Sequence, residues 1–227
     1  MISLDTSVAD LVTDRPARAR IFERLGIDYC CGGDHSLAEA ARKNDLDPGT
    51  VVQMLDAATD ASSSVDTTDW TDASLGDLID HIESTHHDYL RRELPRLEPL
   101  LTRVTQAHGG QHAWLRPTLE TFLSLKDDLE SHMVSEEDRV FPSIRRLAEQ
   151  DPTGVDDDGI EQMIDEHDEA GAALEQLREL TDGYTPPADA CPKFQAAMNG
   201  LQELEEDMHQ HVHKENNILF PRARSLA

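Results

Sequence analysis

The sequence predicts an all-α fold, in which a small N-terminal helical domain is followed by an up-and-down four-helix bundle. Aromatic residues make up only 4% of the 227 residues. A large core must therefore come from Leu, Ile, Val, Met and Ala, which suits helices better than sheets. Four long segments after residue 74 carry apolar residues at helical spacing, with Gly- and Pro-containing stretches between them. No strand-like alternation competes with these segments.

Capping signals predict short helices in the N-terminal part. Thr6 or Ser7 can cap a first helix, and Ser36 with Glu39 forms a capping box for a later one. Pro48 suits the first position of the last short helix.

A change of composition marks the domain boundary. Residues 59–73 are rich in Ser, Thr and Asp, which is typical of a flexible linker. We therefore expect a small domain at 1–58, a linker at 59–73 and a bundle at 74–227.

The four bundle segments end at recognisable breakers. Pro95 and Pro99 predict a bend or break within the first segment. The segments cover approximately residues 75–106, 115–149, 157–181 and 193–224.

The charge balance excludes several classes of partner. The chain has 20 basic and 46 acidic residues, which gives a formal net charge of −26. Such a surface repels nucleic acid and the anionic face of a membrane. No apolar run approaches the ~18 residues of a spanning helix, and Met1–Thr13 lacks the basic start of a signal peptide. We expect a cytoplasmic protein that binds neither nucleic acid nor membrane.

Two segments of the bundle contain the same motif. In each, a Glu follows a His by four residues, and Phe-Pro begins nine residues after the His. The other two segments each contribute a His-Asp pair, and 45 and 44 residues separate the two histidines of each helical hairpin. The six residues that recur in this way are His87, His132, Glu136, His167, His211 and Glu215.

The motif residues lie on apolar helix faces, which predicts burial. Unpaired buried carboxylates cost several kcal/mol each, and two in one core raise each other's pKa. A pair of cations removes that cost, so four His and two Glu predict a non-haem di-iron or di-manganese site. The alternative is a buried His–Glu hydrogen-bond network without metal. In the first helix, periodicity alone allows His86 or His87, and the repeat spacing favours His87.

Cys30 and Cys31 form the second candidate site. They lie in a Gly-Gly turn before the helix that follows Ser36, where we expect exposed thiols and a stabilised thiolate. Reactive thiols here could bind iron, accept sulfur or undergo redox exchange. The alternative is a buried pair of small apolar side chains.

The remaining histidines and the third cysteine are weaker candidates. His209 and His213 are expected to be solvated, and His35 and His81 to be surface or partly packed residues. His108 and His112 could approach an open end of the bundle, and Cys191 is expected to have no role as a ligand. Three cysteines, two of them adjacent, do not make a disulfide framework and indicate a reducing compartment.

Five stretches together resemble the iron–sulfur cluster repair di-iron proteins, also called regulators of iron centres. YCCGGDHSL resembles their N-terminal domain. Their haemerythrin-like domain is similar to LIDHIESTHHDYLRRELPRLEPL, SHMVSEED-RVFP, EHDEAG and HKENNILFPR. The resemblance covers nearly the whole chain in the right order.

The resemblance implies two iron ions with an oxo or hydroxo bridge. It implies a redox or iron-transfer role for Cys30 and Cys31. It implies repair of iron–sulfur proteins damaged by oxidative or nitrosative stress, nitric oxide or O2 as ligands, and a homodimer. The terminal ligands would be His87, His132, His167 and His211, and the bridging carboxylates Glu136 and Glu215.

Three other functions are compatible with the sequence. One is a haemerythrin-type protein that binds or senses oxygen or nitric oxide without repairing clusters. The others are a metal-free interaction protein and a thiol oxidoreductase that depends on the cysteines alone.

The dispersed acidic surface predicts a protein adapted to high salt. Only four of the 20 basic residues are lysines, and screening by salt weakens repulsion among the many carboxylates. Raising the salt concentration should therefore raise the melting temperature steeply, as measured by circular dichroism. A flat response would contradict this expectation.

Overall fold

Capping groups start the helices of the N-terminal part in the computed structural model, which describes residues 2–57, 70–148 and 156–226. The Ser7 hydroxyl accepts a hydrogen bond from the backbone N–H of Asp10. Ser36 and Glu39 form the predicted capping box. The elements are α1 Val8–Asp14, a 3₁₀ turn Pro16–Arg18, α2 Ala19–Leu25, α3 Leu37–Lys43 and α4 Pro48–Ala57.

Four long helical segments follow, as the apolar spacing predicts. Three of them contain a π-helical turn of five residues. The described ranges contain no named strand, and the all-α fold class is confirmed. The segments are α5 Leu75–Ile82, π turn Glu83–His87 and α6 Asp88–His108; α7 Leu115–Ser135, π turn Glu136–Val140 and α8 Phe141–Ala148; α9 Asp157–Leu180; and α10 Pro192–Lys214, π turn Glu215–Leu219 and α11 Phe220–Leu226.

Of the bend or break predicted at Pro95 and Pro99, the break is wrong, because α6 continues through both residues. The two prolines are four residues apart and lie on the same exposed face of the helix. Water can hydrate the carbonyl groups that lose their N–H partners there, so the helix tolerates both rings.

The chain forms two compact units. Unit 1 combines Met1–Leu78 with His209–Ala227, and unit 2 comprises Ile79–Met208, so that their last boundary falls within α10. The linker predicted at 59–73 lies largely outside the described residues. The domain limits proposed from composition stay a prediction.

Unit 1 has its own apolar core, which α1 to α4 build from one face each. The Gly26 backbone adopts a left-handed conformation, φ 65°, and ends α2. The last helical segment contributes side chains that hydrogen-bond the loop after α2. The core residues include Val8, Leu11, Phe22, Ile27, Tyr29, Leu37, Ala41, Val51 and Leu55.

Unit 2 is a helical bundle in which α7 packs against α6 and α9. Gly200 permits close approach of α10 to α6, since a Cβ there would lie 2.5 Å from Leu97 Cδ2. The Arg178 guanidinium lies 3.3 Å from the Glu205 carboxylate and joins α9 to α10. The predicted apolar stripes are buried, among them Leu94, Leu101, Leu125, Leu129, Met163, Leu174, Leu201 and Leu204.

Gly33 is expected to tolerate no side chain. A Cβ at this position would lie 2.7 Å from Ala9 Cβ and 2.8 Å from the Tyr29 carbonyl oxygen. Such overpacking typically costs about 1–3 kcal/mol. We therefore expect Gly33→Ala to lower the midpoint of thermal unfolding measured by circular dichroism. Gly110→Ala is the matched control, because nothing lies within 4 Å of a Cβ there. Equal midpoints for the two variants would contradict the prediction.

Candidate metal centre

The π-helical turns coincide with the repeated motif. His87 ends the first turn, and Glu136 and Glu215 begin the other two. A π turn widens the helix by one residue and shifts the side chains that follow, and such turns are frequent at functional sites. In these segments, the irregular backbone therefore falls at the residues that the sequence marks for chemistry.

Unit 2 brings together four of the predicted site residues. His87, His132, Glu136 and His167 are all buried, and the Glu136 side chain is fully inaccessible. Its two carboxylate oxygens lie 3.2 Å from His87 Nε2 and 3.3 Å from His132 Nε2. His132 Nε2 and His167 Nε2 are 3.0 Å apart. Three imidazoles thus direct the same ring nitrogen towards one region.

The second copy of the motif has the same local geometry. His211 Nε2 lies 3.1 Å from Glu215 Oε1, and both side chains are fully inaccessible. The four-residue spacing places the two groups on one face of the helix, as it does for His132 and Glu136.

All six predicted residues belong to two groups of donor atoms that could each hold a metal ion. In each group the donor atoms lie within 4.8 Å of one another. Both groups contain Glu136 and Glu215. The first group adds His87 and His211, and the second adds His132 and His167.

Two further carboxylates orient the histidines from outside the cluster. His87 Nδ1–H donates to Glu137 at 2.7 Å, and His132 Nδ1–H donates to Glu166 at 2.7 Å. Because the proton is held on Nδ1, each Nε2 keeps its lone pair for the cluster, as metal-binding histidines require.

Sequence reasoning missed Glu137 and Glu166. In a chain with 46 acidic residues, no local signal distinguishes a glutamate that orients a ligand from one that faces water. Both are adjacent in the chain to a predicted site residue, Glu136 or His167, but adjacency alone does not predict contact with a histidine.

Glu137 is held in its charged form. Burial raises its pKa, but hydrogen bonds from Arg91 and His87 outweigh that effect and leave the pKa below its ordinary value.

His86, the alternative to His87 in the first helix, pairs with a different carboxylate, because His86 Nδ1 is 3.0 Å from Asp207 Oδ1. The structure thus brings His87 into the donor groups, and His86 pairs with Asp207.

The predicted exposure of the cysteine pair is wrong for Cys30, which is only 5% exposed, whereas Cys31 is half-buried. The two sulfurs are 3.9 Å apart. The hydrogen bond with Cys31, burial and the neighbouring Asp28 carboxylate raise the pKa of Cys30 well above its ordinary value. The stabilised thiolate expected from the helix N-terminus is therefore not found at Cys30.

Asp28 organises the cysteine loop. Its carboxylate accepts hydrogen bonds from the backbone N–H groups of Cys30, Cys31 and Gly32, and from the Cys30 thiol. Burial raises the Asp28 pKa, but these hydrogen bonds lower it below its ordinary value. From the other side, the Asn217 side-chain amide donates to the Cys30 carbonyl at 3.1 Å.

The prediction that His213 is solvated is wrong. The ring is buried, with Nε2 at 3.3 Å from Thr13 Oγ1 and Nδ1 at 3.4 Å from the Tyr29 carbonyl. His209 is half-buried and lies against the Tyr29 ring. Residues of the N-terminal helices cover this face, and helical periodicity alone could not show that cover. Burial lowers the pKa of His213 to about 4.

His35 is exposed and His81 is half-buried, as expected. His108 and His112 lie near Cys191 at the start of α10. Among the described residues, no helix is both long enough and apolar enough to span a lipid bilayer.

Comparisons with known proteins account for nearly the whole chain. The haemerythrin HHE cation-binding domain model matches residues 77–223, and the model of a domain of unknown function named ScdA_N matches residues 4–59. The iron-sulfur cluster repair protein ScdA of Staphylococcus haemolyticus is 34% identical over 97% of this chain and 98% of its own length. The iron-sulfur cluster repair protein YtfE of Enterobacter sp. (strain 638) is 37% identical over 96% of each chain. The chain therefore belongs to the family of iron–sulfur cluster repair proteins, in which an ScdA_N domain precedes a haemerythrin-like domain.

Proposed function

We propose that this protein repairs iron–sulfur clusters damaged by oxidative or nitrosative stress and that it does so with iron held at the buried His/Glu cluster. The main support is the pair of donor groups that share Glu136 and Glu215. The relatives that match almost end to end carry the name of iron–sulfur cluster repair proteins.

The residues fit a pair of metal ions. Two fully buried carboxylates in one region repel each other and lose their hydration, so that positive charge is needed to hold both ionised. The Nδ1 hydrogen bonds of His87 and His132 leave lone pairs directed at the same region. A mixed imidazole and carboxylate set suits iron, and also manganese or zinc.

In this proposal Glu136 and Glu215, which both donor groups contain, would hold the two ions together with the four histidines. Iron bound there would supply redox chemistry and positions open to small ligands such as nitric oxide or O2. The residues that would bind the ions are His87, His132, His167 and His211 through their imidazoles, and Glu136 and Glu215 through their carboxylates.

The chain's own residues set the conditions for that chemistry. Glu137 and Glu166 fix the tautomers of two ligands, and the apolar faces of the helices exclude water from the carboxylates. Iron delivered to a damaged client protein is a substrate in this scheme. We assign its transfer, or the accompanying electron transfer, to the cysteine pair, with the half-buried Cys31 as the more accessible thiol.

Several finer features belong to the same proposal. We infer iron–sulfur proteins as clients, a homodimer, and a cytoplasmic location in which the three thiols stay reduced. Nitric oxide reduction at the iron is compatible with repair. The alternative function, sensing of oxygen or nitric oxide by the bundle alone, leaves the matched ScdA_N domain unexplained.

Glu136→Ala should abolish binding of the metal pair, because both donor groups contain this carboxylate. Glu166→Gln should weaken metal binding about 10–100-fold, because it loses only the carboxylate that orients His132. Metal analysis and Mössbauer spectroscopy of anaerobically purified protein give the stoichiometry and show whether two irons are coupled.

Glu169→Gln is the matched control for Glu166→Gln, since Glu169 lies on the same helix and is exposed. It should retain a full complement of iron. One zinc ion per chain, or undiminished coupled iron in Glu136→Ala, would refute the assignment of the ligands.

The cysteine pair should be needed for repair but not for iron binding. We expect the Cys30→Ser/Cys31→Ser double variant to keep its iron and to restore a nitric-oxide-damaged iron–sulfur dehydratase more slowly than the parent protein. The readout is dehydratase activity recovered with time, compared at equal iron content. Cys191→Ser is the matched control and should repair at the parental rate. Full repair by the double variant would favour a role confined to the bundle.

A further inference from the structure

A second group of nucleophilic and titratable side chains lies in unit 2, between the end of α6 and the start of α10. Cys191 Sγ is 3.5 Å from His108 Nε2, which is within hydrogen-bond distance for sulfur. Beside this pair, His112 Nε2 lies 3.1 Å from Asp189 Oδ1. The metal centre uses none of these four residues.

Aromatic rings hold the two imidazoles in place. The buried Phe194 ring lies 5.3 Å from the His108 ring and 5.7 Å from the His112 ring, centroid to centroid. Trp114 packs against both Phe194 and His112. The position of His108 beside the thiol is therefore fixed by packing on one side and by the sulfur on the other.

Cys191 lies at the N-terminal end of α10. The Cys191 carbonyl accepts a hydrogen bond from the backbone N–H of Gln195 at 3.0 Å, so Cys191 directly precedes the first turn of α10. The positive end of the dipole of this 23-residue helix faces that position. The side chain is half-buried, so a small molecule can reach it.

The four side chains pair two by two and do not converge on one point. Within the described parts of the chain, groups of donors suited to a metal ion contain only the six residues of the metal centre. This pairwise arrangement resembles a base beside a nucleophile more than a set of metal ligands.

We propose that Cys191 and His108 form a reactive thiol–imidazole pair that exchanges with small disulfides such as oxidised glutathione. His108 accepts the thiol proton, and the Cys191 thiolate attacks one sulfur of the disulfide. A new S–S bond forms, the original S–S bond breaks, and the departing thiolate takes the proton back from His108. The products are one mixed disulfide on Cys191 and one small thiol, with no change in the total number of disulfides.

The exchange is reversible, so excess small thiol restores Cys191. Cys191 would thus be modified reversibly, according to the ratio of small disulfide to small thiol. This modification would occur at a site separate from the residues proposed to hold iron. The pair is independent of the proposed repair function, and its chemistry can be measured on protein with or without metal.

The test is the rate of mixed-disulfide formation with oxidised glutathione at neutral pH, followed by intact mass and by peptide mapping of the full-length protein. Cys191 should react about tenfold faster in the folded protein than in denaturant, where His108 no longer adjoins the sulfur. His108→Gln should lower the rate at which Cys191 reacts in the folded protein to nearly the rate in denaturant. It should also change the pH dependence of that rate.

His112→Gln is the matched control, because His112 also packs on Phe194 but pairs with Asp189. It should keep the parental rate and pH profile. The proposal fails if His108→Gln and His112→Gln slow mixed-disulfide formation equally. It also fails if Cys191 reacts no faster in the folded protein than in denaturant, or if the modification maps to Cys30 or Cys31. Stoichiometric zinc that depends on Cys191 would equally overturn it. Iron content is measured in parallel, so that failure here is distinguishable from failure of the metal-centre assignment.

Discussion

Two carboxylates that are fully shielded from water set the constraint on which the bundle depends. Glu136 and Glu215 each follow a histidine by four residues, and the donor atoms of both lie within each of two compact groups. Neither charge is tolerable in an apolar core without compensating positive charge. The irregular π turns begin at these two residues, and a regular helix would have placed the side chains that follow on a different face.

The same constraint applies to the carboxylates that hydrogen-bond the buried histidines. His87 and His132 can offer Nε2 to the cluster only if a proton stays on Nδ1, and Glu137 and Glu166 hold it there. Arg91 in turn holds Glu137 in its charged form. Two of the chain's many carboxylates therefore have a specific role, because they fix the tautomers of buried histidines.

Apolar periodicity was sufficient to predict the long helices. The repeated His-x-x-x-Glu motif and the two His-Asp pairs marked residues of which four, His87, His132, Glu136 and His167, lie close together in unit 2. Both signals are local, or repeat along the chain at fixed spacing. What the sequence could not show depends on contacts between distant segments. Examples are the cover over His213, the burial of Cys30, and the outer carboxylates. The continuity of α6 through Pro95 and Pro99 depended on which face of the helix met water.

Alternate residues in the segment 209–226 contribute to two different sites. His211 and Glu215 supply donors to the buried groups, while His213 and Asn217 contact the backbone carbonyls of Tyr29 and Cys30. Side chains two residues apart on a helix point in different directions, so one short stretch of helix can contribute to both sites. The same backbone that fixes the His211–Glu215 pair therefore also fixes the loop of the cysteine pair. A displacement of this stretch would change both at once, which gives a structural reason for the two motifs to occur together in one chain.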